Sequence, residues 1–393
     1  MIDGQPIAVR HLTSITGLPR EDWDHLFPGR AEGWDYFRAC EQAAPEGFEA
    51  SAMAAYASAA LVAAVPLFRT DYRLDLSLEG PLKPAVEWIH RNAPKLIAVP
   101  VLGMGSPLTE ECPIGFQPGM KEHDRIAAFE ALLHGMNDYA AENKIPLLAL
   151  KDLRDRDATW AAQPLKRQGF TGVATLPLAT LHLPFKSEDE YLASLSSSMR
   201  SDLRKKMRRA SKVKFEFRDS IADIEDEIAA LFEETRANSK VDYGSFDEVP
   251  ATYFREVMGN CDGTAEVMLA RVDGEIVSFN ISLADPNRLL AKYIGMRYPA
   301  AREHNLYFVN WMAMVRHCIE RGIPWMQIGQ TSYRQKARLG CKLKRSWIYF
   351  KHRNPLINPL FKVFGPMMAF DKMDPDLQAL GEDAPYIEPG AAP

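Results

Sequence analysis

The sequence is poor in the features that mark several large protein classes. Its five cysteines, Cys40, Cys112, Cys261, Cys318 and Cys341, are odd in number, widely spaced and form no Cys-x-x-Cys pair. That spacing argues against a disulfide framework and against structural zinc, so no metal is expected and a reducing cytoplasm is the expected compartment. There is no Gly-x-Gly-x-x-Gly and no P-loop, which removes the two commonest nucleotide cradles. Positive charge is not in excess: the net charge is −5, giving no global attraction to nucleic acid. The first residues include Asp3 and no apolar core behind a basic start, so no signal peptide is expected. One uncharged run, residues 50–68, reaches the length of a membrane span and needs a decision. It is rich in alanine and broken by Ser51, Ser58 and Pro66, so a buried pair of strands is expected there.

What is present is a globular composition, 47% apolar and 25% charged, on 393 residues, enough for two ordinary cores. Two distant segments follow one plan. Residues 129–143 place Phe129, Leu132, Leu133, Met136 and Tyr139 at helical spacing, then Ile145-Pro146 leads to a strand at 147–150. Residues 308–321 place Trp311, Met312, Val315, Cys318 and Ile319 in the same way, then Gly322-Ile323-Pro324 leads to a strand at 325–328. Each copy continues to a glycine (Gly169, Gly340) and a closing strand, at 175–183 and at 346–352. Upstream, the strand pair at 48–68 matches a hairpin at 265–283 turned by Asp273-Gly274, and a third strand follows at 289–296. The expected fold is therefore mixed α/β with mainly antiparallel sheets, in two tandem halves. The expected domains are 1–184 and 185–370, with a flexible, acidic, Pro-rich tail at 371–393.

The second half opens on Ser187, with Glu190 three residues on, a capping box for one long helix whose stripe is Tyr191, Leu192, Leu195, Met199, Leu203 and Met207. Nine basic residues against two acidic ones lie between Arg200 and Arg218, followed by seven acidic residues and no basic one at 219–234. No aromatic residue interleaves 200–211, so stacking on single strands is unsupported.

The run MQIGQTSYRQKARLG at 326–340 resembles the C-terminal signature of the FemAB-like acyltransferases of the GNAT superfamily. The basic stretch SSMRSDLRKK and the turn Val272-Asp273-Gly274-Glu275 resemble the same group. The resemblance spans residues 187–352 well, and residues 30–183 through the repeat. It implies tandem GNAT-like halves and transfer of an acyl group from an acyl-CoA-type thioester, a co-substrate rather than a resident cofactor, to an amine. Among similar proteins, bacterial ceramide synthases move a long acyl chain onto a sphingoid amine, and Fem-type ligases take aminoacyl groups from tRNA. A lipophilic amine is thus the expected acceptor, and a tRNA-dependent peptide ligase the alternative. A third reading is a non-catalytic lipid-binding protein on a degenerate fold. The loop 297–305 departs from the family's Arg-x-x-Gly-x-Gly/Ala cradle.

Amide formation from a thioester needs a held donor, a neutral amine, an oxyanion site and a proton for the thiolate. The strand at 289–296 is expected to supply the backbone N–H for the oxyanion, and the helix beginning near Asn305 to offer its amides to a pyrophosphate. His304, at that helix start, is a candidate base. Tyr333 is a candidate proton donor, and Tyr293 or its neighbour Lys292 must face the cleft, Tyr293 being preferred. Lys336 and Arg334, with Gly329 and Asn305, are the candidate donor-binding residues. Asp242 and Tyr243 are the candidate acceptor residues. The segment 355–370 (PLINPLFKVFGPMMAF) suits an amphiphilic substrate or peripheral contact with the inner membrane face.

Overall fold

The computed structural model describes residues 2, 4–73, 98–238, 249–364, 369–372 and 374–387. The chain divides into two compact units, Met1–Leu176 with Tyr243–Val249 and Arg345–Met373, and Pro177–Asp242 with Pro250–Lys344 and Asp374–Pro393.

The first unit contains β1 (Ile7–Leu12), α1 (Arg20–Leu26), α2 (Trp34–Gln42), β2 (Phe48–Ala57), β3 (Ala60–Arg73), β4 (Ala98–Met104), β5 (Gly115–Phe116), α3 (Glu122–Glu142), β6 (Leu147–Arg154), α4 (Asp155–Arg167) and β7 (Thr171–Ala174). The uncharged run at 50–68 is the β2–β3 hairpin, with Ser58 at φ 55° in its tight turn. Among the described residues no helix is long and apolar enough to cross a membrane. Phe129, Leu132, Leu133 and Met136 on α3 pack on Met53, Val65, Leu148 and Leu150 of the sheet, so the predicted helical stripe is the core face.

The second unit contains β8 (Leu178–His182), α5 (Glu188–Ser194), α6 (Ser197–Arg209), β9 (Lys214–Arg218), α7 (Glu225–Ala237), α8 (Ala251–Asn260), β10 (Ala265–Val272), β11 (Glu275–Ala284), β12 (Arg288–Met296), α9 (Ala300–Glu303), α10 (Leu306–Arg321), β13 (Trp325–Gln327), α11 (Tyr333–Arg338), β14 (Lys342–Lys344) and, near the C-terminus, α13 (Pro375–Leu380). The strand β15 (Ser346–His352) and helix α12 (Asn358–Phe364) belong to the first unit.

The first sheet runs β1-β2-β3-β4-β6-β15-β7 and the second β14-β8-β13-β12-β11-β10-β9. Both are antiparallel except for one parallel pair each, β4 with β6 and β12 with β13, so the repeat read from the sequence is a repeat in topology. The expected boundary at 184/185 requires correction. The two copies exchange their closing strands: β8 lies between β13 and β14, and β15 between β6 and β7. Neither exchange leaves a local signature, because a strand's alternation is the same whichever sheet accepts it.

The expected single helix after Ser187 is two. Ser187 Oγ accepts from Glu190 N–H at 3.2 Å, as the capping box requires. Leu195 then turns extended, and Ser196 caps a new helix by accepting from Met199 N–H at 3.2 Å.

Candidate active site

The hairpin β10–β11 turns on Asp273 (φ 50°) and Gly274 (φ 93°), the left-handed pair that a two-residue hairpin demands. It sets the register for β12, where Tyr293 opposes Ile281 and Ala291 opposes Ser282, so Lys292 is an extra, bulged residue. On its other edge β12 pairs with β13 through only three residues, Arg288–Leu290 against Trp325–Gln327. Beyond Leu290 the two strands part while β12 continues to Met296. A parallel ladder that stops midway leaves a length of strand edge with backbone N–H and C=O groups facing a gap.

Buried polar residues clamp the point of divergence. Asp285 Oδ1 accepts the N–H groups of Asn287 and Arg288 at 2.9 Å each, and Arg288 then donates to Asp285 Oδ2 at 3.1 Å and to Gln327 Oε1 at 3.2 Å. A second network ties the helices. Tyr191 donates to the Leu339 carbonyl at 2.9 Å and accepts from Trp311 Nε1 at 2.9 Å, joining α5, α10 and the end of α11. Burial holds the Tyr191 hydroxyl protonated well above the usual phenol range. On α10, Asn310 donates to Ser278 Oγ at 2.6 Å, which donates to the Gly295 carbonyl at 2.7 Å, so the helix grips β12 from one face. The sequence reading missed all three networks. The signals were the Asp-Pro-Asn turn before Arg288 and a polar Asn310 within the apolar run of α10.

The start of α10 follows directly from β12 through α9. Asn305 sits at φ 53° and makes no side-chain cap, and the first intrahelical bonds are made by Phe308 and Val309 N–H to the Asn305 carbonyl. The amides of Leu306 and Tyr307 therefore lack an intrahelical partner at a positively polarised helix end. His304 is the last residue of that turn. Its side chain is 12% exposed, with Nε2 at 3.9 Å from Glu303.

Tyr293 faces α7 and α8, where its ring meets Phe232, Tyr253 and Phe254 at 5.6, 5.1 and 6.0 Å. These contacts make Tyr293 part of an aromatic cluster with α7 and α8. Two other expectations are corrected. Residues 333–338 form a short helix, not a loop, and its inward face is Tyr333 and Lys336. Tyr333 is fully buried and donates to the Pro177 carbonyl at 2.9 Å. Lys336 is 4% exposed and its ammonium donates to the Ile328 carbonyl at the end of β13. Neither is presented to a substrate; both anchor the segment that follows β13. Arg334 is exposed on the outer face, its N–H donating to Asp376 Oδ2 at 3.3 Å, and Gly329 (φ 51°) accepts from Ala179 N–H at 3.3 Å. Asp242 and Tyr243 lie outside the described residues. Burial pushes the Cys112, Cys318 and Cys341 thiols up to about 12, which keeps them protonated and unsuited to nucleophilic catalysis.

Lys336→Met is accordingly expected to cost about 1–3 kcal/mol of stability, because the Ile328 carbonyl loses its partner while the apolar stem is replaced. Chemical denaturation reads that loss. A raised donor KM at unchanged stability would return Lys336 to a phosphate-binding role.

Residues 197–337, which span the bulged strand, the parted pair and the open helix end, match the family model described as an acetyltransferase (GNAT) domain. That part of the second unit is similar to a GNAT-type acetyltransferase domain. Solved structures share the wider architecture. FemX is 13% identical, with 84% of this chain and 92% of that chain covered at a TM-score of 0.55. The C-terminal domain of a lysylphosphatidylglycerol synthetase from Agrobacterium fabrum is 13% identical, with 89% and 94% covered at 0.54. A tandem GNAT protein from the clavulanic acid biosynthesis pathway is 13% identical, with 89% and 99% covered at 0.50. No curated protein sequence matches. The tandem fold is thus shared with these structures well beyond the segment that the family model matches.

Proposed function

We propose that the chain is an N-acyltransferase that moves an acyl group from an acyl-CoA-type thioester to an amine, with the reaction in the second unit. The observation that carries this reading is the parting of β12 from β13 beyond Leu290, which leaves a strand edge that leads through α9 to the N-terminal end of α10. A thioester laid along that edge has its carbonyl oxygen within reach of a strand N–H, a contact that strengthens as the oxygen becomes an oxyanion. Its phosphates meet the amides of Leu306 and Tyr307. The amine nitrogen attacks the carbonyl carbon, the new C–N bond forms and the C–S bond breaks. The amine sheds a proton, for which His304 is the imidazole carried by the helix start, and the thiolate takes one up.

An amphiphilic or membrane-borne partner is suggested by residues 356–363 of the first unit. Among the described residues the exposed large apolar side chains are Phe217 and four others, Leu356, Ile357, Leu360 and Val363, which all lie within 356–363. Leu356 is 85% and Val363 67% exposed, a concentration suited to a lipid surface or an amphiphile.

A second reading, transfer from an aminoacyl-tRNA, is favoured by α6. Arg204, Lys205, Arg208 and Arg209 are exposed along it, and the ion pairs of the acidic stretch 219–234 run instead to Arg218, Arg236, Arg255 and Arg297. The basic face is not consumed by its acidic neighbour in sequence. The similarity to FemX and to a lysylphosphatidylglycerol synthetase domain fits this reading equally well.

One assay separates the two. Free thiol is measured with acyl-CoA donors from acetyl to stearoyl, each with a short and a long-chain amine. The proposal expects thiol release that requires both donor and amine, is greatest with a long-chain amine and is unaffected by ribonuclease. No release with any donor overturns it, and ribonuclease-sensitive transfer from charged tRNA establishes the second reading.

A further inference from the structure

The acyl-transfer chemistry leaves the outer face of α12 unused. Leu360 and Val363 stand on one side of this helix, three residues apart, and Leu356 and Ile357 lie in the turn that leads into it. The helix is held, not loose. Its other side carries Phe361, which packs on Val101, Leu147 and Ala149 and meets Phe350 edge-on at 5.4 Å. Asn358 Nδ2 donates to the Gly169 carbonyl at 2.9 Å, and its Oδ1 accepts the His352 N–H at 2.9 Å. The turn before it is fixed by Asn354, whose Oδ1 accepts the Leu356 N–H at 2.9 Å. The first unit therefore presents an anchored apolar ridge at its surface.

Cations without acidic partners stand around its base. From Lys342 to Phe370 the chain has six lysines and arginines and no aspartate or glutamate. Lys351, Arg353 and Lys362 belong to that run, and Lys166 joins them from the end of α4, where its carbonyl accepts the Gly169 N–H at 3.0 Å. A Cβ built at Gly169 would meet Asn358 Nδ2 at 3.4 Å and Lys351 Cε at 3.9 Å, so these side chains converge beside the start of α12. Lys362 lies one turn beyond Asn358 on the same side of the helix. The partners of these cations are neutral. Lys351 donates to Asn137 Oδ1 at 2.8 Å and stands over the Phe170 ring at 5.6 Å. Arg353 donates to the Ala140 and Ile145 carbonyls at 3.0 and 3.2 Å. Lys166 and Lys362 are exposed, and none of the four pairs with a carboxylate among the described residues. Burial and the neighbouring Arg353 hold the Lys351 ammonium below the usual lysine range, with no carboxylate to oppose them. Glu142 and Lys144, in the turn that Arg353 holds, cancel in net charge.

We propose that this face seats the protein on an anionic membrane surface, with Leu356, Leu360 and Val363 among the acyl chains and Lys166, Lys351, Arg353 and Lys362 at the headgroup phosphates. An interfacial helix binds through its buried apolar area together with attraction of its lysines and arginines to anionic lipid. The stems of those side chains lie along apolar surface while their heads stay at the phosphates. A neutral apolar partner would leave the cations unused. A second copy seated on the same face would bring two sets of like charges together. The inference names the partner of the apolar surface at 356–363 and does not rest on the transfer chemistry: membrane binding without thiol release would leave it standing.

The test is co-sedimentation of the full chain with sucrose-loaded vesicles, of phosphatidylcholine alone and of an equal mixture of phosphatidylcholine and phosphatidylglycerol. It is repeated on Leu360→Asp/Val363→Asp, on Lys166→Gln/Lys362→Gln and, on α6, on Arg208→Gln/Arg209→Gln. All six side chains are exposed, so the fold is expected to survive, and thermal melting checks this. The expected result is binding to the mixed vesicles at least about tenfold stronger than to phosphatidylcholine, and weakened by added salt. That binding falls about tenfold or more in the apolar variant and about fivefold or more in the lysine variant, and is unchanged in the α6 variant. No binding to the mixed vesicles, equal binding to phosphatidylcholine, or binding that survives the apolar changes overturns the inference. Loss in the α6 variant alone overturns it too, and assigns the attraction to the basic helix of the second unit. So does a dimer at sedimentation equilibrium that Leu360→Asp/Val363→Asp dissolves, which would give the surface to a second copy.

Discussion

Asn305→Asp is expected to raise the KM for a CoA thioester by about tenfold or more while melting no lower than the parent protein. The two effects have opposite origins. Asn305 occupies the left-handed region at φ 53°, a conformation that aspartate tolerates nearly as well as asparagine. A carboxylate at the open end of α10 interacts favourably with the helix dipole, by about 0.3–1 kcal/mol. The same charge repels phosphates bound at the Leu306 and Tyr307 amides, and two charges about 4 Å apart near a protein surface interact by up to about 4 kcal/mol. Tenfold, about 1.4 kcal/mol, is therefore a lower bound. Steady-state kinetics at low salt with parallel melting curves reads both. An unchanged KM in the folded variant would remove the donor phosphates from this helix end.

The second large effect is expected at Gly295 on the parted strand. A Cβ built there would stand 2.2 Å from Phe279 Cε1 and 2.9 Å from the backbone carbon of Leu231 on α7. Phe279 is fully buried and meets Phe254 edge-on at 5.6 Å, so its ring has nowhere to retreat. The strand must then move from α7, and the Gly295 carbonyl from Ser278. Gly295→Ala is expected to cost about 1–3 kcal/mol or more by overpacking, and to depress kcat by displacing the strand edge. Denaturant unfolding and turnover measured together test this. A variant with parental stability would show that α7 yields freely.

What the sequence made legible was local. Asp273-Gly274 announced its hairpin, Ser187 with Glu190 its cap, and residues 346–352 their strand, because each signal acts over a few residues. The open end of α10 could be anticipated for the same reason. The orientation of Tyr333 and Lys336 could not. Their helix is six residues long, too short for periodicity to register, and two chemically attractive side chains read as substrate-facing when they are struts.

The exchanged strands carry a consequence for how the protein is made. During synthesis the first sheet lacks the strand between β6 and β7 until residues 346–352 have been translated, long after β7 itself. A nascent chain halted near residue 184 would expose two unfilled sheet edges and would already have committed β8 to a partner not yet made. Separately expressed halves are therefore incomplete by one interior strand each, and a working protein should be recovered by co-expressing overlapping fragments rather than by cutting at the repeat.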